Sequence, residues 1–301
     1  MSVSVETVAY KGWRQNARLT NGQIELILTA EVGPRVIRLG FVGGRNIMAE
    51  MPGQLGGTGE HEWLLRGGHR LWIAPEEKPL TYEPDNAPVA LRGVAGGVQA
   101  IQPVGAFSGV QKSLRVRMGS QRNEVLLMHR LTNRGRKPIT LAPWALTVMA
   151  PGGMAIIPLP EKIAHTDRLT HNQEWSLWGY TDFADKRWTL GSRYVFFRQD
   201  RRKGPAKLGL AQREGWVAYQ LGDTVLVKRF DWKAGATYPD GGVNFETFSN
   251  EAFLEVETLG PLVTLPPGRS TEHVERWQLF KGVPRVKTEA DADRFIRRRL
   301  K

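Results

Sequence analysis

Residues 253–261 read Phe253-Leu254-Glu255-Val256-Glu257-Thr258-Leu259-Gly260-Pro261, and their alternation decides the fold class. Apolar and acidic side chains change places at each step from Leu254 to Glu257, which is the two-residue period of a strand. Gly260-Pro261 then ends the run, because proline brings no ladder N–H. On such a strand Leu254 and Val256 face one way while Glu255 and Glu257 face the other, about 7 Å apart after two rises of roughly 3.3 Å. Working outward, short runs of the same kind recur at 23–28, 35–41, 113–118, 124–131, 193–197, 215–220, 224–230 and 272–280. Each is rich in Val, Ile, Leu or aromatic residues and is bounded by Gly, Pro, Asn or Asp. No regular alternation of strand and helix accompanies them, which argues against a parallel α/β sheet. The spacing predicts an all-β chain, a large antiparallel β-sandwich. A short helix is expected only at the C-terminus, over 288–300, where Thr288 and Asp291 stand at capping-box spacing.

The composition agrees. The chain has 301 residues with 33 glycines and 18 prolines, a turn-rich makeup, and 41% of it is hydrophobic, enough for a sizeable core. No composition break marks a linker, so residues 1–301 are expected to form one domain, with 283–301 as an extension carrying a basic helix. There is no cysteine, which excludes disulfides, zinc-thiolate sites and cysteine nucleophiles. No run approaches a membrane span, and the N-terminal residues lack the basic and apolar regions of a signal peptide, so a cytoplasmic protein is expected. Lys and Arg number 42 against 30 Asp and Glu, a net charge of +12. Such a field favours anionic ligands. The basic residues cluster at Arg198, Arg201, Arg202 and Lys203 and again at Arg297–Arg299 and Lys301, without zinc-finger or RNA-recognition spacing. They read as a solvated loop and tail rather than a nucleic-acid surface.

Candidate chemistry lies in two stretches. Within 241–265, Glu255 and Glu257 share a face, as do Asn244 and Glu246 in the preceding run. On an exposed face these are ordinary solvated polarity; on a ligand-facing one they supply a general base and groups for sugar hydroxyls. Arg66-Gly67-Gly68-His69-Arg70-Leu71-Trp72 is the second stretch, inside a Gly/Pro-rich segment expected to be irregular over 43–90. Paired glycines allow close backbone approach, His69 can move protons near neutral pH, Arg70 can grip hydroxyls or phosphate, and Trp72 offers a stacking face. A hydrogen-bonded structural His69 fits the same spacing. Trp144 could stack on a ligand or fill the core, and His165 and His171 are spare acid/base candidates. Walker A, dinucleotide-binding, nucleophile-elbow and His-Glu-x-x-His patterns are all absent, and His61, Glu62 and His69 match no standard metal spacing, so neither cofactor nor metal is expected.

At these residues the chain resembles the galactose-mutarotase-like superfamily, the fold of the aldose 1-epimerases, and most closely a bacterial branch of unassigned function. Asn21-Gly22 and Gly33-Pro34-Arg35-Val36-Ile37-Arg38-Leu39 look like its opening strands. Leu131-Thr132-Asn133-Arg134-Gly135 with Pro138-Ile139 resembles its mid-chain turn, and Val256-Glu257-Thr258 its Leu-Glu-Thr-Gln motif. Leu265-Pro266-Pro267-Gly268 and Arg276-Trp277-Gln278-Leu279-Phe280 resemble its closing turn and strand. The resemblance implies a sugar bound on an open sheet face, with Glu257 taking the proton of the anomeric hydroxyl. His69 is similar to a family histidine that holds the substrate. Two departures stand out. Pro143-Trp144-Ala145-Leu146-Thr147 carries no histidine where the family has its principal acid, and Leu259 replaces the Gln of the motif. The expectation is therefore twofold. One form is an enzyme at an anomeric centre, with Glu257 and His69 as catalytic residues. Arg35, Arg70, Trp72, Trp144, Asn244, Glu246 and Glu255 would bind a small carbohydrate, an anionic one such as a sugar phosphate or uronate in one variant. The other form is a carbohydrate-binding protein that has lost its acid.

Overall fold

A computed structural model describes residues 2–300. It is all-β, with two large antiparallel sheets. The first holds eleven strands. Its central run, in spatial order, is Arg35–Phe41, Gly68–Ala74, Ile139–Met149, Leu254–Leu259, Phe245–Ser249 and Ala206–Leu210. The second holds ten, among them Met154–Pro158, Trp216–Leu221, Thr224–Phe230, Ser270–Phe280 and Glu124–Asn133 in that order. Strands Arg35–Phe41 and Thr224–Phe230 have the bounds expected from sequence, and most other expected strands differ by one to three residues at an end.

Alternation sorts the side chains. Leu254, Val256, Phe245, Leu208 and Met149 of the first sheet pack against Val217, Leu226, Trp277 and Leu127 of the second, forming the core between the sheets. A further layer lies on the outer face of the second sheet. There Tyr194, Phe196, Val225 and Val227 are covered by Val283, Val286, Ala292 and Ile296 from the C-terminal segment. Helix Glu289–Phe295 begins with the expected capping box, Thr288 accepting from the Asp291 N–H and Asp291 from the Thr288 N–H. No helix among the described residues is long and apolar enough to cross a membrane.

The stretch expected to be irregular, 43–90, contains strand Gly68–Ala74, near the middle of the first sheet. All seven of its residues are buried. A strand covered on both faces loses the polar–apolar alternation that would announce it.

Candidate active site

The outer face of the first sheet carries a cleft of about 330 Å³. Its floor follows from register. One row of directly paired residues runs Gly209, Glu246, Glu257, Leu146, Arg70 across five strands. The next row runs Lys207, Phe248, Glu255, Val148, Gly68. A third places Leu259, Trp144 and Trp72 side by side. Because paired residues project to the same side, Glu255, Glu257, Arg70, Trp72, Trp144 and Lys207 all line one cleft. Gly209 has its own reason: a Cβ there would stand 2.9 Å from Val243 and 3.4 Å from Trp178. Its absence lets the Trp178 ring cover the Lys207 ammonium at 4.5 Å, while Trp144 holds it at 4.6 Å from the other side.

Glu257 is fully buried, and its Oε2 accepts from Trp144 Nε1 at 3.0 Å. Lys207 Nζ lies 2.7 Å from Glu246 and 3.5 Å from Glu257. Burial alone would lower the Lys207 ammonium, but the carboxylates of Glu257 and Glu246 outweigh it and the net shift is upward. Glu246 is pushed well up, by burial and by Glu257, against the pull of Lys207. Glu255 is raised to about 7, by burial first and by the Glu257 charge, with Arg70 opposing. Arg70 Nη2 donates to Glu255 Oε1 at 3.1 Å, and its guanidinium lies over Trp72 at 4.4 Å and Trp63 at 5.2 Å. Loops complete the rim with Trp63, Glu76, Tyr82 and Tyr180. Tyr82 donates its hydroxyl to Glu76 and sits 4.9 Å from the Trp72 ring.

Several cleft atoms are buried without a protein partner: Arg70 Nε and Nη1, Trp63 Nε1, and Glu257 Oε1. Glu246 Oε1, directly behind, also lacks a hydrogen bond, while its Oε2 is taken by the Lys207 ammonium at 2.7 Å. Unmet donors and unmet acceptors thus stand together under aromatic walls, at a desolvation cost that a ligand's hydroxyls could remove.

Four residues expected from sequence to line the site do not: Glu246 stands behind the lining against Lys207, and three others lie elsewhere. His69 points away from the cleft, because it is adjacent in the chain to Arg70 and successive strand side chains alternate. It is buried between the sheets, edge-on to Trp277 at 4.8 Å. Arg35 is on the cleft side of its strand but buried under the loops. It donates to the Leu65 carbonyl at 2.9 Å and the Gly67 carbonyl at 2.7 Å and pairs with Asp85 at 3.0 Å. It clamps the segment that carries Trp63 instead of meeting a ligand. Asn244 spends its amide on the Gln212 backbone, accepting from N–H at 2.6 Å and donating to C=O at 3.0 Å. His165 and His171 are exposed, outside the cleft lining. Arg198 is opposite Met154, on the outer face of the second sheet, and no residue of the basic run 198–203 lines the cleft. Lys207, Trp63, Glu76, Tyr82 and Tyr180 are the additions that sequence did not single out.

His69 belongs to a polar network directly behind the cleft. His129 Nδ1 lies 3.0 Å from the His273 carbonyl oxygen, which can only accept. The proton is therefore on Nδ1, and His129 Nε2 accepts from His69 Nε2 at 2.7 Å. His69 Nδ1 in turn accepts from the Thr147 hydroxyl at 2.8 Å, and Thr147 accepts from Lys228 Nζ at 2.9 Å. Lys228 also donates to the Val256 carbonyl at 3.1 Å and sits 2.7 Å from Glu275. Val256 lies between Glu255 and Glu257, so this network pins their strand from behind. His69, His129 and Glu275 have a donor set that could hold a metal ion. Their ligand atoms are already hydrogen-bonded, Glu275 to Thr258 and Trp277, with the Lys228 ammonium alongside. The site is filled by the protein's own groups.

No family model matches the chain, and no curated protein matches it in sequence. Solved structures do. The Slr1438 protein of Synechocystis sp. PCC 6803 is 11% identical with a TM-score of 0.58, the match covering 92% of this chain and 99% of that one. A galactose mutarotase-like protein from Lactobacillus casei is 10% identical with a TM-score of 0.58, covering 92% and 100%. A galactose mutarotase-like protein from Clostridium acetobutylicum is 10% identical with a TM-score of 0.55, covering 93% and 99%. At these identities the likeness is one of fold, over nearly the whole of both chains.

Proposed function

On this galactose mutarotase-like sandwich, we propose that the cleft binds a small carbohydrate and acts at its anomeric carbon by general acid–base catalysis, with Glu257 as the base. The observation that carries the reading is the set of unpartnered donors and acceptors beneath aromatic faces. A pyranose offers hydroxyls that donate and accept at once, and an apolar ring face for Trp72 or Trp144. Glu257 Oε1 is a buried acceptor with no partner, on a residue that lines the cleft. An anomeric O–H placed there at about 2.7 Å would give up its proton along an existing hydrogen bond. Trp144 and Lys207 hold the other oxygen and fix the carboxylate plane.

The charge of the ligand is a finer matter. An anionic sugar would rest mainly on Arg70, whose Nε and Nη1 are free of partners. The basic run 198–203 does not line the cleft. A second reading, a binding protein without catalysis, draws on the position of His69, which leaves the cleft without an imidazole.

The test is the equilibration of freshly dissolved α-D-glucose, α-D-galactose and their 6-phosphates, followed by polarimetry or NMR beside Glu257→Gln. Acceleration that disappears in the variant supports the enzyme. Binding without acceleration by the unaltered protein selects the second reading.

A further inference from the structure

Opening a pyranose ring needs a proton delivered to the ring oxygen as the anomeric hydroxyl loses its own. None of the six histidines lines the cleft: His69, His129 and His273 are inside the sandwich, and His61, His165 and His171 are exposed. Resting on the reading of the cleft as an anomeric-centre site, we infer that Glu255 is the proton donor to the ring oxygen, working opposite Glu257 on the same strand.

Geometry comes first. Glu255 and Glu257 share the cleft face of Leu254–Leu259, two residues and about 7 Å apart. The two oxygens to be served hang on a single carbon. An acid on one and a base on the other, each at about 2.7 Å, therefore have their reacting oxygens no more than about 8 Å apart. Two carboxyl side chains on one strand face, rooted about 7 Å apart at Cα, can both reach such a centre. Arg70, gripping Glu255 Oε1 at 3.1 Å, fixes the carboxyl and leaves the second oxygen for the substrate.

The other donors in the cleft suit the role less well. Arg70 does not deprotonate. The Lys207 ammonium is shifted upward, by its carboxylate neighbours against burial, and holds its proton. Burial pushes Tyr180 up to about 12, and burial with the Glu76 hydrogen bond pushes Tyr82 higher still. Glu255, at about 7, is matched to giving and retaking a proton near neutral pH. The charged groups that act on it are Arg70 from one neighbouring segment of the sheet, Lys207 from the other side, and Glu257 on its own strand. Its directly paired neighbours, Val148 and Phe248, carry no charge.

The step balances. Glu257 takes the proton from the anomeric O–H, the C–O bond to the ring oxygen breaks as the aldehyde C=O forms, and Glu255 passes its proton to the departing ring oxygen. After rotation about the adjacent C–C bond, the ring hydroxyl returns its proton to Glu255 while attacking the carbonyl. Glu257 returns its proton to the new anomeric oxygen. Both residues end as they began.

The experiment is a pH–rate profile of mutarotation for the unaltered protein, Glu255→Gln, Glu255→Asp and Glu257→Gln. A donor must be protonated, so the unaltered rate should fall as pH rises through about 7. Glu255→Gln should lose about 10²- to 10⁴-fold in kcat with little change in KM, and lose that alkaline limb; Glu255→Asp should restore part of both. A Glu255→Gln protein that keeps the rate and the limb overturns the assignment while leaving Glu257 and the site reading in place. Inactivity of the unaltered protein on every sugar sinks both. Carboxyl ¹³C NMR of the sugar-loaded unaltered protein needs no variant to fold. A Glu255 midpoint near 7 supports the role, and a midpoint below 5 overturns it.

Discussion

His69 and Arg70 are consecutive in the chain and face opposite sides of one strand. His69 meets His129 at 2.7 Å between the sheets, and Arg70 meets Glu255 at 3.1 Å on the cleft. Stability and the proposed ligand recognition are therefore separable at adjacent positions. His69→Ala removes both ring nitrogens from a buried chain and leaves a cavity, and should cost about 2–4 kcal/mol in urea unfolding. Sugar affinity in the still-folded protein should stay within about twofold; a tenfold loss would place His69 in recognition after all.

The interior imidazoles make an acid-sensitive core. Burial depresses His69 and His129 and holds His273 at about 3. Free histidine titrates near 6.5, so below that pH the unfolded chain binds protons the folded one does not. Stability is then complete above about 6.5 and lost as pH falls toward the depressed folded values. Each histidine contributes up to about 1.4 kcal/mol per pH unit, and the three together roughly 3–4 kcal/mol between pH 7.5 and 5.5. Urea midpoints across that range measure it; a flat profile would mean that the fold carries charged imidazoles.

Lys207 is the counter-charge for two buried carboxylates. Lys207→Met should destabilise by about 3–5 kcal/mol, because it leaves Glu246 and Glu257 facing each other uncompensated. Lys207→Met combined with Glu246→Gln removes the repulsion and should regain stability beyond the sum of the single changes, as a double-mutant cycle would show.

Trp63 Nε1 is buried and donates to nothing in the protein. Trp63→Phe keeps a ring beside Trp72 and Tyr82 and deletes only that donor. Folding stability should change by less than about 0.5 kcal/mol. Affinity for a sugar that fills the donor should fall about 5- to 10-fold, measured by calorimetry. Unchanged affinity would show that no ligand hydroxyl reaches the indole.

Local periodicity carried the legible part of this protein. The alternation at Leu254–Leu259 placed Glu255 and Glu257 on one face, and the cleft confirms that they share it. The same parity puts Arg70 and Trp72 together and forces His69 apart from them, but the Gly/Pro-rich surroundings concealed a strand that is buried throughout. Arg35 and Asn244 could not be read, because what distinguishes a ligand-binding polar side chain from a clamp is whether a backbone group already occupies it. Lys207 looked like one polar residue in Ala206-Lys207-Leu208-Gly209-Leu210. Its meaning lies in Glu246 and Glu257, which only strand pairing brings to it.

The division between floor and rim has a practical consequence. Glu255 and Glu257 sit on a strand paired on both sides, by Ile139–Met149 and Phe245–Ser249, whereas Trp63, Glu76, Tyr82 and Tyr180 come from connecting segments outside the strands. These two carboxyl groups are bolted to a frame that tolerates little alteration, since shifting one strand by a residue would turn every side chain to the wrong face. The loops obey no such constraint. On the proposed reading of the cleft, a designer seeking a different sugar could rewrite the rim as an interchangeable mouthpiece and leave the floor beneath it untouched.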